Sequence, residues 1–434
     1  MPVEPRHVAI IAPPTPGHFN PLQVLGGELV RLGHRVSMVH LGEAAGLVDD
    51  PRIGFAAIDG RGGASLSAYH ATLAAPTGPI GLPRMIRATA AMTALLLDRA
   101  PMVLARIGAD AIIADAAEPA GPLIAARLQL PLVGSVTGLP LLREPEVPPP
   151  FLGWRYRADG LGRFRNRGGY QVSGVLMRPI DRVLGERRRA WGIADAQPLV
   201  QVAQCPAGLD YPRDYLPASF RYGAPWRAAA PVPLDLPDDG RPLIFCSLGT
   251  LQGARRHLLA TMAAACAAIG ARAVIGHGGG LSAAEAAALP GDPLVRAFWP
   301  QEAVLRQCVA AVLHGGFNTV LDALAAGVPI VAVPIAFEQP GTAARLAWVG
   351  AGRVAPMRGL TQERLARSLA AVIREPGYRA SARRLAAGMR AAGGAAAAAA
   401  TISAALRDAG GAAATRASAD LDDVRDDMRR SGSR

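Results

Sequence analysis

Apolar and polar residues follow one another along the first half of the chain in the pattern of strands joined by helices. The short apolar run His7 to Ala12 predicts a strand, and Pro21 to Leu32 has helical spacing that ends at a glycine. Arg35 to His40 predicts a second strand. A strand, a crossover helix and a strand within about 35 residues form a βαβ unit, which predicts a parallel sheet.

The same pattern recurs near residue 111 and again in the second half of the chain. The predicted elements are the strand Ala111 to Ala114, the helix Glu118 to Leu128, the strands Leu132 to Ser135, Leu243 to Ser247, Ala273 to Gly276, Val309 to Leu313 and Ile330 to Val333, and the helix Asn318 to Ala326. This repetition predicts an α/β protein with two doubly wound, Rossmann-like units. Ligands of such sheets bind at the carboxyl ends of the strands.

Chain-breaking residues mark the boundary between the two units. Prolines, aspartates and a glycine crowd residues 231–240, which predicts an interdomain linker. We therefore place an N-terminal domain at 1–230 and a C-terminal domain at 241–410. Residues 392–415 are rich in Ala and Gly, and 416–434 mix Arg and Asp with few apolar groups, so we predict a disordered tail at 411–434.

Composition and charge narrow the class of protein. The chain has 434 residues, of which 50% are hydrophobic, and this content excludes wholesale disorder. Its 46 basic residues are all Arg and face 34 acidic ones, for a net charge of +12. The excess lies in residues 151–200, with ten Arg against four acidic residues, and in 351–400, with nine against two. Such local charge indicates basic faces and not a basic protein throughout.

The cysteines and the apolar runs bear on the compartment. The four cysteines form no CxxC pair, which excludes a zinc ribbon and a thioredoxin motif. The first apolar run, Val8 to Ala12, is too short for a signal peptide. No stretch approaches the roughly 18 consecutive apolar residues of a membrane span. We therefore expect a cytoplasmic protein.

Two polar residues stand where predicted strands of the first half end. His18 follows the first strand in a proline-rich turn, and Asp115 ends the strand that begins at Ala111. Because the carboxyl ends of parallel strands share one edge of a sheet, we expect both side chains at the same cleft. An imidazole with an ordinary pKa of about 6.5 suits a general base, and a carboxylate would fix its tautomer. We predict that His18 and Asp115 are a catalytic pair.

Polar, glycine-containing loops follow two predicted strands of the second half and suit a phosphate. They read Ser247-Leu248-Gly249-Thr250 and His314-Gly315-Gly316-Phe317-Asn318-Thr319. Glycine permits close backbone approach, and a helix N-terminus offers free N–H groups with a partial positive charge. Asp322 lies one helical turn further on, where it suits a ribose diol, and Glu338-Gln339 suits the hydroxyls of a sugar.

Two common nucleotide sites are absent from the sequence. No G-x-G-x-x-G follows the first predicted strand, and a P-loop needs a Lys, which this chain lacks. These absences argue against a standard dinucleotide oxidoreductase and against a P-loop NTPase.

The ordered motifs of the second half resemble the donor-binding signature of the UDP-glycosyltransferases of the two-domain GT-B type. The matching segments are Phe298-Trp299-Pro300-Gln301, His314 to Thr319, Asp322, Gly327-Val328-Pro329 and Glu338-Gln339, with further matches at Ser247 to Gly253, Asn318 to Ala323, Ala336 to Gly341 and Glu118 to Gly121. The resemblance covers residues 7–405 and is strongest to the branch of the family that glucosylates carotenoids such as zeaxanthin.

The resemblance implies a GT-B fold and a role for each matching residue. His18 would be the catalytic base and Asp115 its orienting acid. Phe298 or Trp299 would stack on uracil, and Gln301 would bind the uridine. Asp322 would bind the ribose, in place of the commoner Glu. The loops around the donor's diphosphate would be formed by Ser247, Gly249, Thr250, His314, Gly316, Asn318 and Thr319. The donor's sugar would be bound by Glu338, where many members have Asp, and by Gln339.

The resemblance also implies a reaction. His18 would take the proton of an acceptor hydroxyl while the oxygen attacks the anomeric carbon of UDP-glucose and displaces UDP with inversion. Helix N-termini and His314 would stabilise the departing diphosphate, so neither a metal ion nor another cofactor is expected. The acceptor would be a hydrophobic, hydroxylated molecule, namely a carotenoid.

The basic window at 151–200 gains a candidate role from this acceptor. Arginine there is interleaved with Phe151, Trp154, Tyr156, Phe164 and Tyr170. Arginine with interfacial aromatics suits an anionic membrane surface, and a carotenoid resides in the membrane. We therefore expect a peripheral enzyme at the inner face of the cell membrane.

Three alternatives remain open. A glycosyltransferase that acts on a macrolide or other polyketide aglycone would carry the same donor site, because acceptor choice lies in the less patterned N-terminal half. A UDP-sugar epimerase could share the scaffold. A nucleic-acid-binding protein rests on charge alone and would leave the donor motifs unexplained.

Overall fold

The computed structural model describes residues 5–60, 65–75, 78–228 and 233–410. The predicted tail at 411–434, and the first two residues of the predicted linker, lie outside the described residues.

The N-terminal half of the chain forms one sheet with helices on both faces. Its strands are β1 (His7–Ile11), β2 (Arg35–Leu41), β3 (Gly54–Ile58), β4 (Ala111–Asp115), β5 (Leu132–Val136), β6 (Val200–Ala203) and β7 (Phe220–Arg221). Its helices are α1 (Pro16–Arg31), α2 (Leu66–Ala74), α3 (Gly78–Ile107), α4 (Gly121–Leu128) and α5 (Gly160–Trp191). The seven strands are parallel, in the order β3-β2-β1-β4-β5-β6-β7.

The C-terminal half repeats this architecture. Its strands are β8 (Leu243–Ser247), β9 (Arg272–Gly276), β10 (Leu294–Arg296), β11 (Cys308–Leu313), β12 (Ile330–Ala332) and β13 (Gly352–Val354), all parallel, in the order β10-β9-β8-β11-β12-β13. Its helices are α6 (Gly249–Gln252), α7 (Arg256–Ala267), α8 (Ala283–Ala287), α9 (Gln301–Leu305), α10 (Phe317–Ala325), α11 (Gln339–Trp348), α12 (Gln362–Arg374) and α13 (Pro376–Ala392). Residues 394–410 are also helical.

The two predicted α/β units with parallel sheets are confirmed. Every residue of β1 and β4 is buried, because helices cover both faces of the sheet. All four cysteines are buried and free, and they pack as small apolar residues.

The structure corrects the sequence reading at the first helix. We expected His18 in a turn before a helix that starts at Pro21, but α1 starts at Pro16 and His18 lies in its first turn. Proline is tolerated in the first helical turn, since the N–H that it lacks has no partner inside the helix there. The imidazole is therefore held by a helix and not by a loop.

The last helical segment crosses back to the N-terminal domain. Its apolar side chains, Ala395, Ala399, Ile402 and Leu406, are buried in the same cluster as the side chains of β1 and α1. The hydroxyl of Ser403 lies 3.0 Å from Nε2 of His34, just after α1. Residues that the sequence boundaries assign to the C-terminal domain thus complete the core of the N-terminal one.

Two helical segments, Ile80–Ile107 and Pro376–Gly410, are long and apolar enough to span a bilayer by length and composition. Both pack one face into a core, as core helices of globular proteins do. Leu96, Leu97 and Leu104 of α3 are fully buried, and Gly393 interrupts the second segment in a left-handed conformation.

Candidate active site

Three neighbouring strands of the N-terminal sheet deliver polar side chains to one point. β1 pairs with β4, and β4 pairs with β5. His18 lies in the helical turn that follows β1, Asp115 is the last residue of β4, and Thr137 comes directly after β5. The structure thus brings together the two residues predicted as a catalytic pair and adds a third.

The Thr137 hydroxyl bridges the pair. It lies 2.7 Å from Nδ1 of His18 and donates to Oδ2 of Asp115 at 2.7 Å. Nδ1 of His18 is also 3.2 Å from Oδ1 of Asp115. Because the hydroxyl proton goes to the carboxylate, Nδ1 must carry a proton to donate to Thr137 or Asp115. This assignment leaves Nε2 as the unprotonated nitrogen, which is the one that acts as a base.

Burial and charge oppose each other at this pair. Burial is the largest single effect on His18 and disfavours its protonation, but the charge and hydrogen bond of Asp115 and the charges of Glu338 and Glu118 together outweigh it, so the pKa of His18 is raised. Burial alone would raise the pKa of Asp115, but the charge of His18, together with hydrogen bonds from His18, Ala117 and Thr137, lowers it. The His18 side chain keeps 27% of its surface exposed, against 1% for Asp115, so only the imidazole is open to a substrate.

A further carboxyl group lies buried behind the pair. Oε1 of Glu118 accepts hydrogen bonds from the Thr93 hydroxyl at 3.1 Å and from the Ala120 amide at 3.2 Å. Burial raises the pKa of Glu118 to about 7. The negative charge of Glu118 also helps to raise the pKa of His18.

His314 of the predicted donor site is packed between two glycine loops. A Cβ at Gly249 would lie 2.8 Å from the ring, and one at Gly316 only 2.3 Å from its Nε2, so neither position admits a side chain. Nδ1 of His314 is buried and has no hydrogen-bond partner among the described residues. Burial lowers the pKa of His314 to about 4, so the ring is neutral at neutral pH and contributes hydrogen bonding and not charge.

Asn318 joins the start of α10 to the first turn of α1. Its Nδ2 donates to the carbonyl oxygen of Gly17 at 2.6 Å, one residue before His18. Its Oδ1 accepts from Nε2 of Gln204 at 3.1 Å. The predicted donor segment is therefore in direct contact with the residue that precedes the predicted base.

Asp322, the predicted ribose ligand, is paired on both carboxylate oxygens. Oδ1 accepts from Nε of Arg227 at 2.6 Å, and Oδ2 accepts from the side-chain amide of Gln301. The structure thus places Gln301, predicted to bind the uridine, in hydrogen-bond contact with Asp322. Arg227 was not predicted.

The two aromatic candidates for stacking on uracil differ in how firmly other residues hold their rings and in how exposed the rings are. The indole N–H of Trp299 donates to the Ile275 carbonyl at 2.9 Å, and the Arg296 guanidinium lies 4.2 Å from the centre of its ring. Phe298 has no such anchor and is 67% exposed. Phe298 is therefore the ring with a free face.

The remaining donor candidates stand at the ends of strands and the starts of helices. The Ser247 hydroxyl accepts from the Gly249 amide at 3.1 Å, which shapes the loop before the exposed Thr250, and Thr319 lies half-buried in the first turn of α10. Oε1 of Gln339 accepts from the backbone amides of Ile335 and Ala336, both at 2.9 Å. These two hydrogen bonds fix the orientation of the Gln339 side-chain amide and therefore the position of its nitrogen. Burial raises the pKa of Glu338, whose charge also acts on His18.

Sequence reasoning missed three polar residues of this site: Thr137, Gln204 and Arg227. Thr137 carries the same signal as His18 and Asp115, since it follows a predicted strand at the same sheet edge. Gln204 follows β6, a strand that the sequence did not predict. Arg227 lies in an irregular segment after β7, and no local pattern distinguishes it from the other arginines.

Within the described part of the chain, no three His, Cys, Asp or Glu side chains converge to form a candidate metal site.

Similarity to known proteins agrees with this geometry. The family described as erythromycin biosynthesis protein CIII-like, C-terminal domain, matches residues 262–404. Zeaxanthin glucosyltransferase of Pantoea ananas is 35% identical over 89% of this chain and 93% of its own length, and that of Pseudescherichia vulneris is 35% identical over 80% and 85%. The crystal structure of the calicheamicin glycosyltransferase superposes with a TM-score of 0.73 at 22% identity over 93% of this chain and 98% of its own, which shows the shared GT-B fold. The chain is a glycosyltransferase of the GT-B fold, and it belongs to glycosyltransferase family 1 together with the bacterial zeaxanthin glucosyltransferases.

Proposed function

We propose that this enzyme transfers glucose from UDP-glucose to the hydroxyl groups of zeaxanthin or a similar carotenoid, with inversion at the anomeric carbon. The observation that carries the chemistry is the His18–Thr137–Asp115 cluster, which lies in contact with the donor loop through Asn318 and Gly17. The acceptor rests on two 35%-identical relatives, both of which are zeaxanthin glucosyltransferases.

The catalytic step follows from the proton positions. Nε2 of His18 takes the proton of the acceptor hydroxyl as its oxygen forms a bond to the anomeric carbon and the bond to the UDP oxygen breaks. Asp115 stabilises the imidazolium that forms, through the contacts at Nδ1. Attack from the side opposite the leaving UDP inverts the anomeric configuration.

We propose that the departing diphosphate is stabilised without a metal ion. The N-terminus of α10, with Asn318 and Thr319 in its first turn, presents free N–H groups and a partial positive charge. The neutral His314 can donate one further hydrogen bond, since the pKa of His314 lies far below neutral pH. These groups supply the electrostatic stabilisation that a metal ion provides in other transferases.

The base can be tested by His18→Ala. General bases contribute about 10²- to 10⁴-fold, so we expect kcat for glucosylation of zeaxanthin to fall by about that factor. Binding of UDP-glucose, measured by calorimetry, should stay within about threefold of wild type, because the donor residues lie in the other domain. His257→Ala, at an exposed position in α7, is the matched control. Normal turnover in His18→Ala would refute the assignment.

A polyketide or macrolide aglycone is the second candidate acceptor. The observation in its favour is the match to the erythromycin-type family, which is confined to residues 262–404 and therefore to the donor-binding half. Competition between zeaxanthin and a macrolide aglycone for the same enzyme, read as product masses, separates the two candidates.

We propose further that the enzyme works at the inner membrane surface, bound through α5. One face of this helix exposes five apolar side chains at helical spacing: Leu161, Phe164, Val172, Val175 and Leu176. Exposed arginines flank them at 167, 178 and 182. An apolar stripe beside cationic side chains matches the interface of an anionic bilayer, which is also where a carotenoid is available.

Of the five aromatic residues that the sequence suggested for membrane contact, three are engaged in contacts within the protein. Trp154 lies under the Arg165 guanidinium at 4.9 Å, Tyr156 stacks on Tyr211 with ring centres 5.1 Å apart, and the Tyr170 hydroxyl donates to a backbone carbonyl. These three rings serve internal packing. Phe164, 75% exposed, and Phe151, 39% exposed, remain as the aromatic contacts for a membrane.

Vesicle flotation tests this surface. We expect wild type to float with vesicles that contain phosphatidylglycerol and to bind neutral phosphatidylcholine vesicles at least about tenfold more weakly, because each basic residue near an anionic surface contributes about 1 kcal/mol. Arg167→Glu combined with Arg178→Glu should abolish the difference. Arg367→Glu with Arg390→Glu makes the same charge change on the other domain and should not. Equal binding of wild type to both vesicles would refute the electrostatic contact.

A further inference from the structure

Arg227 connects three separate segments at the domain boundary. It lies after β7, where the chain leaves the N-terminal sheet, and its side chain is 20% exposed. Its Nε donates to Oδ1 of Asp322 at 2.6 Å, its Nη1 to Oε1 of Gln204 at 2.9 Å, and its Nη2 to the backbone oxygen of Asn318 at 3.1 Å. One guanidinium therefore contacts two expected donor ligands and a residue of the N-terminal domain.

These contacts set the orientation of the Asn318 amide. Its Oδ1 lies 3.1 Å from the donor Nε2 of Gln204 and 3.3 Å from Nη2 of Arg227. With the oxygen bound by two donors, Nδ2 is turned toward the Gly17 carbonyl, which it reaches at 2.6 Å. Arg227 and Gln204 thus determine that the amide nitrogen of Asn318, and not its oxygen, faces Gly17 in the first turn of α1.

The same network reaches the base from a second side. Nε2 of Gln204 also donates to the backbone oxygen of Thr137 at 3.1 Å, and the Thr137 hydroxyl contacts His18 and Asp115. A continuous set of hydrogen bonds therefore runs from Asp322 through Arg227 and Gln204 to the catalytic pair.

We propose that Arg227 is a positioning residue for glycosyl transfer: it holds Asp322 and Asn318 of the donor site in place relative to the first turn of α1, which carries His18. This inference rests on the proposed function. The single positive charge of Arg227 matches the Asp322 carboxylate, and its planar guanidinium donates hydrogen bonds to partners in three directions at once. A lysine ammonium can supply the charge, but it cannot make the same three fixed contacts.

This difference between Arg and Lys makes the role measurable. In Arg227→Met the Asp322 carboxylate loses its cation, so we expect the affinity for UDP, measured by calorimetry, to fall about tenfold or more. In Arg227→Lys the charge returns, and UDP affinity should recover to within about threefold of wild type. The lysine does not restore the position of Asn318 relative to the first turn of α1, which carries His18. We therefore expect kcat to stay about tenfold or more below wild type in both variants.

The control is Arg221→Met, at the end of β7, whose side chain donates, among the residues that the structure describes, only to the carbonyl oxygens of Ala218 and Phe220. Wild-type UDP affinity and wild-type kcat in Arg227→Met would overturn the proposal. So would a lysine variant with wild-type kcat, or one whose UDP affinity stays as low as that of the methionine variant. UDP binding needs no acceptor, so failure of wild type to glucosylate zeaxanthin would refute the proposed function separately.

Discussion

At His18, two opposing effects determine how readily the imidazole takes a proton. Burial makes the charged ring unfavourable, while the carboxylates of Asp115, Glu338 and Glu118 stabilise it, and their combined effect is larger, so the pKa of His18 is raised. A base with a raised pKa is a stronger proton acceptor, but it is unprotonated only at a correspondingly higher pH. The carboxylate therefore increases the rate at high pH at the expense of the rate at low pH.

Asp115→Asn separates these two effects. Without the carboxylate, burial dominates and the pKa of His18 falls, so the acid limb of the pH profile of kcat/KM should move to lower pH. The maximal rate should fall about 10²-fold or more, because the imidazolium loses its counter-charge. The measurement is the pH dependence of kcat/KM for wild type and variant. Asp98→Asn, which removes a surface carboxylate paired with Arg187, should leave the profile unchanged; an unmoved acid limb in Asp115→Asn would contradict this account.

Prediction from sequence succeeded for polar residues that come at or soon after the end of a predicted strand. Asp115 comes directly after its predicted strand and His18 six residues after the first one, and the fold brings them to 3.2 Å. Thr137 comes two residues after the predicted strand Leu132 to Ser135, but a threonine there is too common to single out. Arg227 could not be predicted, because its importance comes from contacts with residues up to 95 positions away in the sequence.

Helix α11 begins at the two sugar-binding candidates, Glu338 and Gln339, and packs against the N-terminal domain. Gly341 in its first turn lies against the backbone of Pro150: a Cβ there would be 2.0 Å from the Pro150 oxygen. Gly153 of the same N-terminal loop lies near Pro340, where a Cβ would be 3.2 Å from the proline side chain, a tight contact that a shift of a few tenths of an ångström would relieve. The loop can pack this closely on α11 because Gly341 has no side chain.

Gly341→Ala should push this loop away from α11. Overpacking of this kind costs about 1–3 kcal/mol, so we expect a lower unfolding temperature and a reduced turnover of the acceptor. UDP affinity should be retained, since Gln301 and Asp322 lie on α9 and α10. The control is Gly388→Ala in the middle of α13, where no atom lies within 4 Å of the added Cβ and the change should be neutral or stabilising by up to about 1 kcal/mol. Equal stability and turnover in the two alanine variants would contradict the packing argument.

Elements buried on both faces were predictable, and elements at the edges were not. β1, β4 and β8 are continuous apolar runs, which indicate central parallel strands. β10 and β13 have three residues each and are half exposed, so they give no periodic signal. The 32-residue α5 appeared only as a basic window, because its arginines, glycines and internal proline hide the helical spacing.

For the whole molecule, the two domains are joined by buried polar contacts as well as by the chain. Nε of Arg345 on α11 donates to Oδ1 of Asp210 of the N-terminal half at 2.8 Å, and both side chains are 1% exposed. Asp210 also accepts from Arg213 at 2.7 Å and from the Tyr222 hydroxyl at 2.9 Å. Loss of one partner of a buried pair costs about 3–5 kcal/mol, so this cluster fixes how α11 meets the N-terminal domain.

The net charge of +12 divides between the domains in the structure. One arginine-rich window forms α5 and its flanks, on the N-terminal domain. The other forms the exposed faces of α12 and α13 on the C-terminal domain, where Leu365, Leu369 and Leu385 face inward. Nothing in the structure assigns a function to this second face.

Fold class and family could be predicted from the sequence because the donor motifs keep their order over the C-terminal half. The packing of residues 394–410 on the N-terminal core could not, since an Ala-rich helix carries no mark of its partner. The N-terminal half carries no such ordered motif for an acceptor, so the acceptor follows from the similarity of the whole chain to zeaxanthin glucosyltransferases.

The product that the purified enzyme makes from UDP-glucose and zeaxanthin in phosphatidylglycerol-containing vesicles is the most direct test of the proposed reaction. Direct displacement on an α-linked donor, with Nε2 of His18 as the base, predicts a zeaxanthin glucoside that carries a β-linkage, seen in the coupling of its anomeric proton by NMR. An α-linked glucoside, or UDP-glucose left unconsumed while zeaxanthin is present, would contradict it.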